Sequence, residues 1–183
     1  MITNQWINLP ERLIIRRTLI IGVKIYMDKE QFKKIVHSVM KENGFRRKGS
    51  SWYKSTDECI VLLNLQHSLY SSLYYINLAC MPQKFAHGEL YPKEPCCYVR
   101  TRIPKQGING ENYHEITDLE TDINDNERES GIIHILKDYC LPTLDKLGSI
   151  KGINQFYSEK PYLNDIQRNI LAVINEFHPD NEQ

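Results

Sequence analysis

Two runs rich in strand-forming residues, 58–66 and 73–81, stand on either side of a short polar stretch, 67–72. Each is long enough to cross a sheet, and six residues are too few for the helical crossover that parallel strands need, so the pair reads as an antiparallel hairpin. The chain is thereby committed to a sheet built on local reversals. Pro82 ends the second run, and residues 97–103 supply a further strand closed by Pro104. Ser51–Ser55, short and aromatic at Trp52 and Tyr53, precedes the hairpin, and Tyr113–Thr117 is expected as a fifth, short strand. Between them, residues 83–95 hold Gly88, Pro92 and Pro95 and read as an irregular excursion.

Helical signals flank the strands. Phe32, Ile35, Val36, Val39 and Met40 repeat at one helical face over residues 28–43. Asp28 suits the N-cap with Gln31 at capping-box spacing, and Met27 and Phe32 occupy the staple positions. Gly44 and Phe45 suit a left-handed stop in which Phe45 folds back on Met40. After an acidic loop over 118–129, Ile132, Ile133, Leu136, Tyr139 and Cys140 mark a second helix, which Pro142 must kink or restart. Leu144 and Leu147 continue its apolar face up to Gly148, and a final helix is expected over 161–177. The order predicts an α+β fold: an N-terminal helix, an antiparallel sheet of four to five strands, and C-terminal helices. One domain is expected over 27–178, with a tail over 179–183.

The stretch 13–26, LIIRRTLIIGVKIY, is too short to span a bilayer, is broken by Arg16, Arg17 and Lys24, and lacks a cleavage site. Gly22-Val23-Lys24 must be encoded GGN-GUN-AAR, which can read as a purine-rich ribosome-binding sequence just upstream of Met27. Residues 1–26 are therefore expected to be an extraneous or poorly ordered extension, with translation starting at Met27.

A hydrophobic fraction of 41% and a charged fraction of 25% exclude a mostly disordered chain. The net charge of zero excludes bulk attraction to nucleic acid or anionic membrane, but it hides an asymmetry. Residues 1–55 carry twelve Lys/Arg against four Asp/Glu, and residues 111–183 carry six against fifteen. Five cysteines without framework spacing, and no glycosylation sequon, point to a reducing cytoplasm.

The segments GFRRKGSSWYK (44–54), VLLNLQ (61–66), YYINLAC (74–80) and CYVRTRI (97–103), in that order and followed by Leu141-Pro142-Thr143-Leu144, resemble the bacterial family known as domain of unknown function 4304. The resemblance runs from about Met27 to Tyr157 and implies no activity, cofactor or catalytic residue. By analogy it places the chain near small cytoplasmic proteins of the toxin-immunity type.

Strand alternation sorts the sheet into two faces. Val61, Leu63, Leu65, Tyr74, Ile76, Leu78 and Val99 form an apolar one, suited to lie under the helices. The other presents Ile60, Leu62, Asn64, Gln66, Tyr75, Asn77, Ala79, Tyr98, Arg100 and Arg102. Its polar members, Asn64, Gln66, Tyr75, Asn77, Tyr98, Arg100 and Arg102, are the candidate binding residues: amides and arginines fix a polar partner while tyrosines supply area. Two structural explanations stand beside this one, a half-solvated outer face and a buried Asn64–Asn77 pair across the hairpin.

Other constellations are weaker. Cys80, His87, Cys96 and Cys97 lack zinc-ligand spacing. Asp122-x-Asn124-x-Asn126 starts like a calcium loop but has Glu127 where glycine belongs and Ile133 where the closing glutamate belongs, so it reads as a capping loop. Arg46, Arg47, Lys48, Trp52, Tyr53 and Lys54 interleave cations with aromatics as nucleic-acid binders do, yet Arg46–Lys48 also sits where a helix end attracts cations. His178-Pro179-Asp180 falls in the tail. No hydrolase, phosphate-loop or dinucleotide motif occurs. The expectation is a non-enzymatic cytoplasmic interaction protein, of the immunity type, that binds another protein through the polar face without cofactor, metal or membrane. The alternative is a small hydrolase or nucleotide-processing enzyme with Arg100 and Arg102 as anion binders.

Overall fold

Asp28 opens the fold by accepting a 2.7 Å hydrogen bond from the Gln31 backbone N–H at the start of α1 (Lys29–Glu42). The far end stops as a Schellman turn. Gly44 adopts φ +83°, its N–H bonds the Lys41 carbonyl at 3.1 Å, and the Phe45 N–H bonds the Met40 carbonyl at 3.0 Å. Phe32, Val36, Val39 and Met40 form the buried stripe. Each such side chain removed from water contributes about 1.5–3 kcal/mol. The computed structural model describes residues 27–107, 110–160 and 164–176, with Asp165 described for its backbone alone. The extension expected over 1–26 and the tail expected over 179–183 lie outside the described residues.

Five antiparallel strands follow in simple order: β1 (Arg46–Lys48), β2 (Ser51–Ser55), β3 (Cys59–His67), β4 (Tyr74–Pro82) and β5 (Val99–Arg102). The expected hairpin is β3–β4, each strand displaced by one residue from its sequence reading. β1 is the fifth strand, formed where only basic residues were visible. It pairs with β2 through a tight turn at Gly49, φ +63°, a conformation that favours glycine. Tyr113–Thr117 is not a strand. It is the short helix α2, because the Asn112 side chain caps it by accepting from the Glu115 N–H at 3.2 Å.

The helix expected around Ile132 is continuous from α3 (Asp125–His134) through a π-helical turn (Ile135–Cys140) into α4 (Leu141–Leu147). In the widened turn the Leu141 N–H reaches back to the Leu136 carbonyl, five residues away. The turn lies immediately before Pro142, which has no N–H to give and clashes with a regular preceding turn, and the helix passes it without breaking. α5 (Ile150–Ser158) was not anticipated from the sequence; Ser149 caps it at Gly152 N, 3.0 Å away. α6 (Asp165–Glu176) is the final helix, and the 161–163 and 177 ends of its expected span lie outside the described residues. Asn154 of α5 and Asn175 of α6 exchange amide hydrogen bonds of 2.8 and 2.9 Å.

The apolar sheet face, α1 and the α3–α4 rod enclose the main core, which includes Trp52, Leu63, Ile76, Leu78, Val99, Ile132, Leu136 and Leu144. A smaller second core lies on the opposite face. There the excursion after β4, carrying two 3-10 turns (Gln83–Phe85 and Glu94–Cys96), folds back over Ile60, Leu62, Ala79 and Met81. One half of the outer face is therefore covered, and the half nearest His67, Tyr75 and Arg102 stays open.

Candidate functional site

Register places Ser51 opposite Asn64, Asn64 opposite Asn77, and Asn77 opposite Arg102, one row of polar side chains across β2, β3, β4 and β5. Their hydrogen bonds join it. Asn64 Nδ2 donates to Ser51 Oγ at 2.9 Å, and Asn77 Nδ2 donates to Asn64 Oδ1 at 3.4 Å and to Gln66 Oε1 at 3.2 Å. Arg102 closes the row, with Nε donating to Asn77 Oδ1 at 2.8 Å and Nη2 to Gln66 Oε1 at 2.9 Å. Tyr75, paired with Gln66, lies under the guanidinium, whose carbon stands 4.2 Å from the ring centroid. Asn77 is only 5% exposed, whereas Arg102 at the end of the row faces solvent. The inner members therefore satisfy one another, and the outer one is held in a single pose with donor capacity to spare.

Five of the seven sequence candidates, Asn64, Gln66, Tyr75, Asn77 and Arg102, thus form one network. Arg100 lies on the same face but turns to Glu94, to which its Nε donates at 2.8 Å. That hydrogen bond raises the guanidinium pKa further above its ordinary value. Tyr98 departs from the expectation. It precedes β5 and stacks on Phe85 at 4.5 Å, so it serves the second core instead of the polar row.

Sequence reading missed the groups that the excursion delivers. Lys93 and Glu94 join Ser50, Ser51, Asn64, Gln66, His67 and Arg100 around an open groove of about 610 Å³. No periodicity marks residues 83–98, so nothing in the sequence indicated that they would cross this face. Lys48 stands on the same side, opposite Ser51, with its ammonium 4.5 Å from the ring centroid of Tyr91. The open half of the face therefore carries Lys48, Lys93, Arg100 and Arg102, with Glu94 engaged by Arg100.

A family model described as domain of unknown function DUF4304 matches residues 36–146. The chain belongs to this family. The match runs from the middle of α1 to the end of α4, takes in all five strands, and includes every residue of the polar row. No curated protein and no solved structure matches the chain.

Elsewhere in this DUF4304 domain, several groups have plain structural duties. Trp52 is fully buried and its Nε1 donates to His37 Nδ1 at 3.1 Å, and Tyr53 is 8% exposed, so neither ring is presented for base stacking. Asn124 caps α3 by accepting from the Glu127 N–H at 2.9 Å, as expected of a capping loop. Arg128, fully buried, donates to the carbonyls of Glu115, Ile116, Asp118 and Thr121 at 2.6–3.1 Å, stitching α2 and the following loop to α3. His134 bridges Glu111 and Asp138. Cys97 is buried, which pushes its thiol up to about 12, and burial raises Cys140 as well. Among the described residues no three His, Cys, Asp or Glu side chains are grouped to hold a metal, and no helix is long and apolar enough to cross a membrane. Of the ion pairs between described residues, only Lys54–Asp145 at 3.8 Å links the basic first segment to the acidic last one.

Proposed function

We propose that this protein is a non-catalytic interaction module of the immunity type, working in a bacterial cytoplasm. In this reading it grips an acidic surface of another protein with the open half of its polar sheet face. The observation that carries the reading is the pose of Arg102. Two hydrogen bonds and a tyrosine ring hold the guanidinium while it remains exposed, so a partner carboxylate meets it without the usual cost of ordering a long side chain. Arg, Tyr and a surrounding set of cations are also the chemistry of interface hot spots and of electrostatically steered encounter.

The test is co-expression with the products of neighbouring genes, followed by titration of any co-eluting protein. Arg102→Ala is expected to weaken that complex by about 2 kcal/mol or more, with affinity falling as salt rises. An unchanged affinity for both Arg102→Ala and Arg100→Ala would retire the proposal.

The second reading, a small hydrolase or nucleotide-processing enzyme, draws on the groove whose lining includes His67, Glu94 and Arg100, although the His67 ring packs edge-on against Tyr74, 5.0 Å between centroids. Glu94 is already engaged by Arg100, so the reading requires substrate to break that ion pair. Hydrolysis of phosphate or carboxylic esters, lost in His67→Ala, is its assay.

A further inference from the structure

A second concavity adjoins Arg102 at the edge of the sheet, and its chemistry is more specific than that of the groove. β5 ends its pairing with β4 at Asn77, so residues 73–75 of the chain run on without a fifth-strand neighbour. The segment after β5 and the helix α2 close around that gap. The Ile103 N–H bonds the Ile76 carbonyl at 3.1 Å, the His114 N–H bonds the Lys105 carbonyl at 3.2 Å, and the Leu119 N–H bonds the Ser72 carbonyl at 3.3 Å. Three walls tied by backbone hydrogen bonds line a half-open pocket of about 180 Å³.

The apolar part of the lining is Ile103 and Pro104, backed by Leu73, Ile76 and Tyr113, which are almost wholly buried. Arg102, Lys105 and His114 also line the pocket, and no carboxylate is among the described residues that do. Lys105 and His114 make no side-chain hydrogen bond or ion pair with any described residue. Size then narrows the occupant. A cavity of about 150 Å³ takes one benzene ring, whereas drug-sized ligands and cofactors need about 300–1,000 Å³. A nucleotide would project well beyond it. The guanidinium of Arg102 has already committed Nε and one Nη2 hydrogen to Asn77 and Gln66, which leaves an edge suited to a planar two-oxygen acceptor.

We infer that this pocket binds a single ring-sized or branched apolar group that ends in a carboxylate, the chemistry of a C-terminal aromatic or aliphatic residue. It deepens the reading above, since it names the part of a partner that the region beside Arg102 accepts, and it rests on that reading for its biological role. Lys105 and His114 hold the carboxylate with Arg102, and the apolar part of the lining takes the side chain.

The experiment uses the full chain, isotopically labelled, with N-acetylphenylalanine, its primary amide, phenylacetate, inorganic phosphate and a decapeptide ending in phenylalanine as probes. The expected result is saturable shifts at Arg102, Lys105, His114 and Thr117 with the carboxylate probes, and about tenfold weaker binding of the amide. Lys105→Ala and His114→Ala, made in wall residues outside the polar row, are each expected to weaken the acid by about fivefold or more without changing the thermal midpoint. Tighter binding of the decapeptide than of phenylacetate assigns the source to a chain end, and equal binding assigns it to a free small acid. Equal affinity for acid and amide, phosphate binding as tight as the acids, or no shift at about 20 mM overturns the inference. A partner complex that depends on Arg102 but ignores Lys105 and His114 overturns this pocket alone. A complex indifferent to Arg102, beside normal acid binding, overturns the wider reading alone.

Discussion

Arg102 on β5 lies over the ring of Tyr75 near the start of β4, with 4.2 Å between the guanidinium carbon and the ring centroid. An exposed pair of this kind is worth only about 0.5–1 kcal/mol. Its main effect is on entropy: with Nε and Nη2 also bound, the side chain has little freedom left to lose when a partner arrives.

The polar row should therefore divide by depth. Asn77→Ala removes a nearly buried amide that serves Asn64, Gln66 and Arg102, and is expected to cost about 2–3 kcal/mol in urea unfolding. Arg102→Ala removes an exposed head group and is expected to cost under about 1 kcal/mol. The reverse ranking contradicts a row that is structural inside and available outside.

Arg128 is the buried cation on which α2 depends. Arg128→Met leaves four carbonyls without their donor and is expected to cost about 2–4 kcal/mol. Faster amide exchange should be confined to residues 113–121. Uniform acceleration across the sheet would show that the arginine supports more than this segment.

Gly152 inverts the usual helix rule. Alanine normally gains about 0.5–1 kcal/mol over glycine inside a helix, but a Cβ here falls 1.8 Å from the Lys146 carbonyl oxygen. Gly152→Ala is expected to destabilise by about 2 kcal/mol or more, because α5 must move away from α4. A gain in the melting temperature would mean that the two helices are not in close contact.

Alkaline pH should weaken the fold through its thiols. Burial raises Cys97 from 9.0 to about 12, so between those values the folded chain keeps a proton that the unfolded chain has released. The unfolded state binds fewer protons there, and stability falls as pH rises, by up to about 1.4 kcal/mol per pH unit for this group. Urea midpoints at about pH 8 and about pH 10 should differ less in Cys97→Ala than in the parent chain. In the folded protein, Cys96 is the one exposed thiol of the five, so a disulfide reagent should titrate a single fast equivalent that Cys96→Ser abolishes.

Legibility followed local chemistry. α1 was readable at both ends because Asp28, Met27, Gly44 and Phe45 each act within a few residues. The candidate row was readable because a period of two sorts Asn64, Gln66, Asn77 and Arg102 to one side, whatever packs on the other. α2 was misread because Tyr-His-Glu-Ile-Thr alternates in polarity, although Asn112 and Glu115 had the spacing of a cap. α5 was missed where Gly152 interrupts Ile150, Ile153 and Tyr157, and that glycine answers to a neighbouring helix instead of its own. β1 has no apolar pattern because all three of its residues face solvent. The cover over half the sheet rests on contacts between residues far apart in sequence, and at its start Lys84 Nζ donates to the Ile174 carbonyl at 2.9 Å, ninety residues away.

The two outermost strands of the sheet are its shortest, three and four residues, and both carry arginine. Short, charged borders discourage a foreign strand from docking and extending the ladder. Main-chain templating, and the aggregation that follows from it, therefore find little foothold along these two borders.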